Sequence, residues 1–261
     1  MRVEMRAEMR AKMTGVEHGG RTFPGRVTVR LGDVTGTGRV RLDAMARYLQ
    51  DVATDDAAEA GLADGWVLRR VALRIDGFPA FRQPVDLVTW CSGVAASAAE
   101  RCTTLAVGGR VLADAVALWV FVGPDGRPAR LDRERMAVYG IPTGRRLSTR
   151  LRHDDGPLPG VPSDRARPWP LRAADVDVLA HVNNAVTLAA VEDVLAEEGL
   201  AEAGPPWQVE VEYRAPIEAG DAPELVWARA ADGTVVGQLR CDGVARSTFR
   251  LQVPGPSAPR T

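Results

Sequence analysis

Two stretches of the chain repeat apolar residues at helical spacing, and each leads into a series of strand-like runs. The first, from about Asp43 to Ala60, lines one face with Met45, Tyr48, Leu49, Val52 and Ala57. Asp43 reads as its N-cap and Gly61 as its C-cap. The second runs from about Asn184 to Glu198, with Val191, Val194 and Leu195 on its apolar side and Gly199 ending it. Strands are predicted after the first helix at Val71–Ile75, Val85–Cys91, Ala99–Val107 and Val111–Val122. After the second they are predicted at Gln208–Arg214, Glu224–Ala230, Val235–Cys241 and Ala245–Val253. One short predicted strand precedes each helix, at Val27–Leu31 and Pro170–Arg172.

The order is thus stated twice: strand, helix, then strands only. Laying Asp33 on Asp175 aligns the copies without a gap. Asp33/Asp175, Val34/Val176, Val40/Val182, Asp51/Asp193 and Val52/Val194 coincide, and Gln50 faces Glu192. Between Ile141 and Pro168 the pattern breaks into a Pro-, Gly- and Arg-rich stretch, a linker or long crossing loop. The expected division is an N-terminal segment 1–21 that is poorly ordered or mis-started, a unit over 22–140, a linker over 141–164, a unit over 165–253 and a tail over 254–261. A helix followed by antiparallel strands buries its apolar stripe on one sheet face. The fold class expected is therefore α+β: a tandem hotdog, each unit a long helix wrapped by a curved antiparallel sheet, the two paired edge to edge.

Composition narrows the function classes. The 261 residues are 46% hydrophobic and 26% charged, with 33 basic against 34 acidic residues and a net charge of −1. No net basic field exists to hold nucleic acid, and no apolar run is long enough for a membrane span. Cys91, Cys102 and Cys241 have no CxxC spacing, and His18, His153 and His181 form no paired ligand set, so no metal or organic cofactor is expected. Reduced thiols fit a cytoplasmic location.

The segment from Trp169 to Leu195, WPLRAADVDVLAHVNNAVTLAAVEDVL, resembles the catalytic half of the acyl-acyl-carrier-protein thioesterases. That family carries Asp-Val-x-x-His-Val-Asn-Asn between its first strand and its helix. Val211–Arg214 (VEYR) is similar to the strand after that helix, and Tyr48–Ala53, Thr89–Gly93, Ala117–Val122 and Gly126–Leu131 are similar to the first half. The resemblance implies two hotdog units and hydrolysis of a fatty acyl thioester, the first unit shaping the acyl pocket and the second supplying the chemistry. It also implies an acyl carrier protein or coenzyme A thioester as substrate. Two departures stand out. The plant enzymes place Asp, Asn and His at alternate positions, where Asp177 and His181 flank Leu179 here. The Glu and Cys expected just beyond Glu-Tyr-Arg are replaced by Ala215, Pro216 and Ile217.

Thioester hydrolysis needs donors for the carbonyl oxygen, a base for water and an apolar slot. Backbone N–H groups near Asn183, Asn184 and Ala185, at the positive end of the second helix, can serve the oxygen, although Asn183 could simply cap that helix. Asp177 is expected to activate water while His181 positions substrate or protonates the leaving thiolate; the opposite division stays open. Glu192 is a third candidate base, or else part of a solvated helix face beside Asp193, Glu197 and Glu198. Met45, Leu49, Val52 and Trp90 are candidates for the acyl slot. Arg145, Arg146, Arg150 and Arg152 form a basic run that would draw an acidic carrier or coenzyme A phosphates. The chain is expected as a monomer of two pseudo-symmetric units or a homodimer. Two other readings are a non-catalytic acyl-thioester binder and a hotdog enoyl-thioester hydratase or dehydratase.

Overall fold

The computed structural model describes residues 20–140, 147–158 and 166–254. Most of the expected N-terminal segment, most of the tail, much of the 141–164 linker, and Arg145 and Arg146 lie outside the described residues. The first half contains β1 (Thr22–Thr28), α1 (Leu42–Glu59), β2 (Trp66–Ile75), β3 (Pro84–Val94), β4 (Ala98–Val107), β5 (Arg110–Phe121) and the single turn α2 (Arg133–Met136). The second half contains β6 (Arg167–Pro168), α3 (Ala185–Glu197), β7 (Trp207–Tyr213), β8 (Glu224–Arg229), β9 (Val235–Cys241) and β10 (Val244–Gln252).

All ten strands join one sheet in the order β1-β3-β4-β5-β2-β7-β10-β9-β8-β6. Read outward from the middle, both halves run through corresponding strands in the same order. They meet where β2 and β7 pair antiparallel, with Val71 opposite Val211 and Leu73 opposite Val209. This is the expected tandem hotdog, with α1 and α3 packed against each other. A single core joins Leu42, Met45 and Leu49 of α1, Leu188, Val191 and Leu195 of α3, and sheet residues including Leu73, Leu105, Val209 and Phe249. Each such side chain taken from water stabilises the fold by roughly 1.5–3 kcal/mol. Antiparallel strands can cover one face this way and leave the other to polar groups. Gly61 (φ 70°) and Gly199 (φ 67°) end the two helices in the left-handed conformation that L side chains resist.

Several predicted boundaries move. β1 lies at Thr22–Thr28 rather than Val27–Leu31. It pairs with β3 up to Thr28 opposite Pro84. Leu31 then opens a short 3-10 turn and is 76% exposed. No strand forms at Pro170–Arg172; only Arg167 and Pro168 pair with β8. Pro168 and Pro170 lack an N–H, which confines this segment to a sheet edge. β2 starts at Trp66 instead of Val71, through a bulge between Leu68 and Arg70. Arg70 stays buried because Glu210 lies 3.9 Å away.

The described part of the linker straps across the sheet. The backbone N–H groups of Arg152 and His153 donate to the Glu212 carboxylate at 2.7 and 3.0 Å. His153 Nδ1 lies 3.0 Å from Thr248 Oγ1, and Arg214 donates to Asp155 at 2.8 Å. Glu210 and Glu212 alternate with Val209 and Val211, so the strap lies on the face away from the helices.

Candidate active site

Residues 176–182 form a small hairpin feeding α3. Val176 bridges to Val182, and the Asp177 N–H donates to the His181 carbonyl at 2.9 Å. The first half repeats it, with Val34 bridging to Val40 and the Thr35 N–H on the Arg39 carbonyl at 2.7 Å. The tight turn needs a positive φ, supplied by Gly38 (85°) in one copy and by Ala180 (63°) in the other. Asp177 Oδ1 accepts the Leu179 N–H at 2.9 Å, a local turn bond. His181 does not face Asp177. Its Nε2 lies 3.5 Å from Glu218 Oε1, with the two side chains 45% and 54% exposed. Val178 and Leu179 form an exposed apolar tip. Glu218 was not singled out in the sequence, because nothing local pairs a residue of the loop after β7 with His181, 37 positions earlier.

The start of α3 combines occupied and free donors. Asn183 Oδ1 accepts the Ala185 N–H at 2.9 Å, so the capping role is real. The Tyr213 hydroxyl donates to the Asn184 carbonyl at 2.9 Å. Burial pushes the Tyr213 pKa up, which keeps it a donor. The Asn184 N–H has no hydrogen-bond partner among the described residues. Asn184, Ala185 and Tyr213 border a narrow, mostly apolar cleft. Its remaining walls are Ala46, Leu49, Gln50 and Ala53 of α1, with Leu68, Val71, Arg101, Thr103, Ala115, Ala117 and Trp119 of the sheet. The space exists because alanines stand where larger side chains would fill it.

Of the four residues expected in the acyl slot, Leu49 borders this cleft. Met45 and Val52 lie in the core, and Trp90 packs with Cys102, Val116 and Ala72 on the other face of the sheet.

Glu192 is neither solvated nor free. Its carboxylate takes two hydrogen bonds from the Arg39 guanidinium, at 3.0 and 2.7 Å, and a third from the Leu42 N–H at 2.7 Å. Glu192 thereby caps α1 from the other half. Arg41, not Asp43, occupies the N-cap position and makes no side-chain cap. Asp43 instead pairs with Arg41 and Arg47. Arg39 packs against the T-shaped pair Phe78 and Trp207, 4.9 Å from each ring centroid.

His153, Glu210 and Glu212 bring ligand-type atoms within 4.8 Å of one another. Backbone amides already fill the Glu212 carboxylate, and Arg70 and Arg214 stand 3.9 and 3.7 Å from these acids. The group is a neutralised internal clasp. Cys91, Cys102 and Cys241 are buried free thiols, and burial pushes Cys91 up to about 11, a poor nucleophile. No helix among the described residues is long and apolar enough to cross a membrane.

The acyl-ACP thioesterase N-terminal domain family matches residues 20–139, and the acyl-ACP thioesterase C-terminal domain family matches residues 162–242. The chain belongs to the acyl-ACP thioesterase family and is a thioester hydrolase. An uncharacterized protein of Mycobacterium tuberculosis is 29% identical over 198 residues, covering 72% of this chain and 75% of its own. Solved structures share the fold. An acyl-ACP thioesterase from Bacteroides thetaiotaomicron superposes with TM-score 0.76 at 17% identity, covering 89% of this chain and 98% of its own. The 12:0-ACP thioesterase from Umbellularia californica gives 0.73 at 16% identity, covering 89% and 97%.

Proposed function

We propose that the protein hydrolyses a fatty acyl group from acyl carrier protein, or from coenzyme A, with the acyl chain in the alanine-lined cleft and the thioester carbonyl at the start of α3. The observation that carries this reading is that Asn184, whose N–H has no hydrogen-bond partner among the described residues, borders that cleft. A helix start concentrates partial positive charge, which gains most when the carbonyl oxygen becomes an oxyanion. Asp177 takes the proton from the attacking water. His181, oriented by Glu218, protonates the leaving thiolate. Of the basic run that would draw an acidic carrier, Arg150 and Arg152 lie among the described residues. The acid released would enter lipid metabolism, and three buried free thiols support a cytoplasmic, reducing setting.

Thiol release from a panel of acyl-carrier and acyl-CoA substrates tests this, and it also separates hydrolysis from hydration, which frees no thiol. Asp177→Asn and His181→Ala should each lower kcat at least about a hundredfold, the scale of a lost acid or base. Thiol release by neither substrate class would overturn the activity. Near-native rates in both variants would overturn the residue assignment alone.

A further inference from the structure

We infer that Gln50, on α1, is a substrate-contacting residue of this hydrolytic site, holding the thioester carbonyl oxygen together with the Asn184 N–H. The inference rests on the site proposed above and goes beyond it by naming a group from the first half.

The alignment that lays Asp33 on Asp175 lays Leu42 on Asn184, Arg39 on His181 and Gln50 on Glu192. Backbone bonds obey it: the Arg41 N–H donates to the Asp33 carbonyl as the Asn183 N–H does to that of Asp175, both at 2.8 Å. The molecule therefore holds two copies of one arrangement, a helix start facing the middle of the opposite helix. In the first copy the site is closed from within. The Leu42 N–H is occupied by a Glu192 carboxylate oxygen at 2.7 Å, and Arg39 neutralises the acid. That oxygen shows where an anionic oxygen binds at such a helix start.

The second copy is open. The Asn184 N–H has no partner among the described residues, and the residue aligned with Glu192 carries an amide instead of a carboxylate. Gln50 is half-buried, borders the same cleft as Asn184 and Ala185, and has no hydrogen-bond partner among the described residues. The change of acid to amide has a chemical consequence. A carboxylate here would accept the Asn184 N–H itself and repel a developing oxyanion. The Gln50 amide carries no charge and offers an N–H₂ donor. In the reaction, the water oxygen bonds to the carbonyl carbon and its proton passes to Asp177. The π pair moves onto the carbonyl oxygen, held by the Asn184 N–H and Gln50 Nε2. Collapse of the intermediate breaks the C–S bond, and the thiolate takes a proton.

The test compares Gln50→Ala, Gln50→Met and Gln50→Glu with the wild type on the thioester it cleaves best. Gln50→Met keeps helix propensity and volume, which covers the case in which the alanine variant folds poorly. Both neutral variants should lower kcat about a hundredfold, the loss typical of one oxyanion donor, with KM changed by less than about threefold. Gln50→Glu should be slower still near pH 8 and should recover activity as pH falls toward the ordinary carboxyl range, a dependence the neutral variants lack. If all three keep kcat within about threefold of wild type while Asp177→Asn is inactive, Gln50 leaves the site and the site itself stands. If the wild type frees no thiol from any substrate, both fall together.

Discussion

Replacing Glu192 by alanine separates the base that the sequence offers from the bridge that the structure shows. The substitution removes both Arg39 hydrogen bonds and the cap on Leu42. The paired side chains are 13% and 11% exposed. Breaking a fully buried pair costs about 3–5 kcal/mol because the surviving charge is stranded. Here Arg39 keeps the Val40 carbonyl and its two aromatic faces, so about 2–3 kcal/mol is the better figure. Loss of the helix cap adds about 1 kcal/mol. The total of about 3–4 kcal/mol corresponds to a Tm fall of about 6–16 °C for a chain of this size. Urea unfolding should show a lower midpoint at unchanged slope. Glu192→Gln, which keeps an acceptor for Leu42, should lose less, and the double variant Arg39→Met/Glu192→Met should be more stable than the sum of the single losses predicts. Folded Glu192→Ala should keep its turnover. Stability within about 1 kcal/mol of wild type, together with abolished turnover, would refute the structural assignment and restore Glu192 as the base.

Other consequences follow from packing and charge. A Cβ at Gly237 would fall 2.1 Å from the Phe249 ring, so Gly237→Ala should cost about 3 kcal/mol, read as a lower urea midpoint. Ala115→Leu should fill the cleft and depress kcat/KM for long acyl chains while sparing short ones, checked across a chain-length series. Burial pushes the His153 pKa below its ordinary 6.5, opposed in part by Glu212 and Glu210. The unfolded chain therefore binds the proton first. The contribution to stability is full above about pH 6.5 and declines as pH falls through that value, and His153→Gln should flatten this dependence in urea titrations.

Alternation and helical spacing made both helices and most strands legible, because each lies half-buried against one shared core. β1 was less so: Leu31 is apolar yet exposed, while Pro24 and Gly25 weaken the alternation of the true strand. The α1 cap could not be read locally, since Glu192 stands 150 residues from Leu42. The cleft escaped for a different reason. Large apolar residues such as Met45 and Val52 announce a packed core, whereas small ones such as Ala46, Ala53, Ala115 and Ala117 keep the same spacing whether the space beside them is filled or open. Trp90 reads as a pocket residue only until its strand face is known.

The duplicated fold explains why so few groups needed to change for the halves to diverge. Both helix starts present free backbone donors, because an α-helix leaves its first N–H groups unpaired wherever it begins. What differs is what meets them. On one side Glu192 and Arg39 satisfy the donors and tie the two helices together, which strengthens the seam but leaves no room for a foreign oxygen. On the other side an amide and an imidazole stand at the corresponding positions, and the donor has no partner among the described residues. An unpaired N–H costs stability when buried, whereas one beside an open cleft can be met by water. The two copies thus share one seam: Glu192 and Arg39 tie the helices there, while the common core of α1, α3 and the sheet holds them in register.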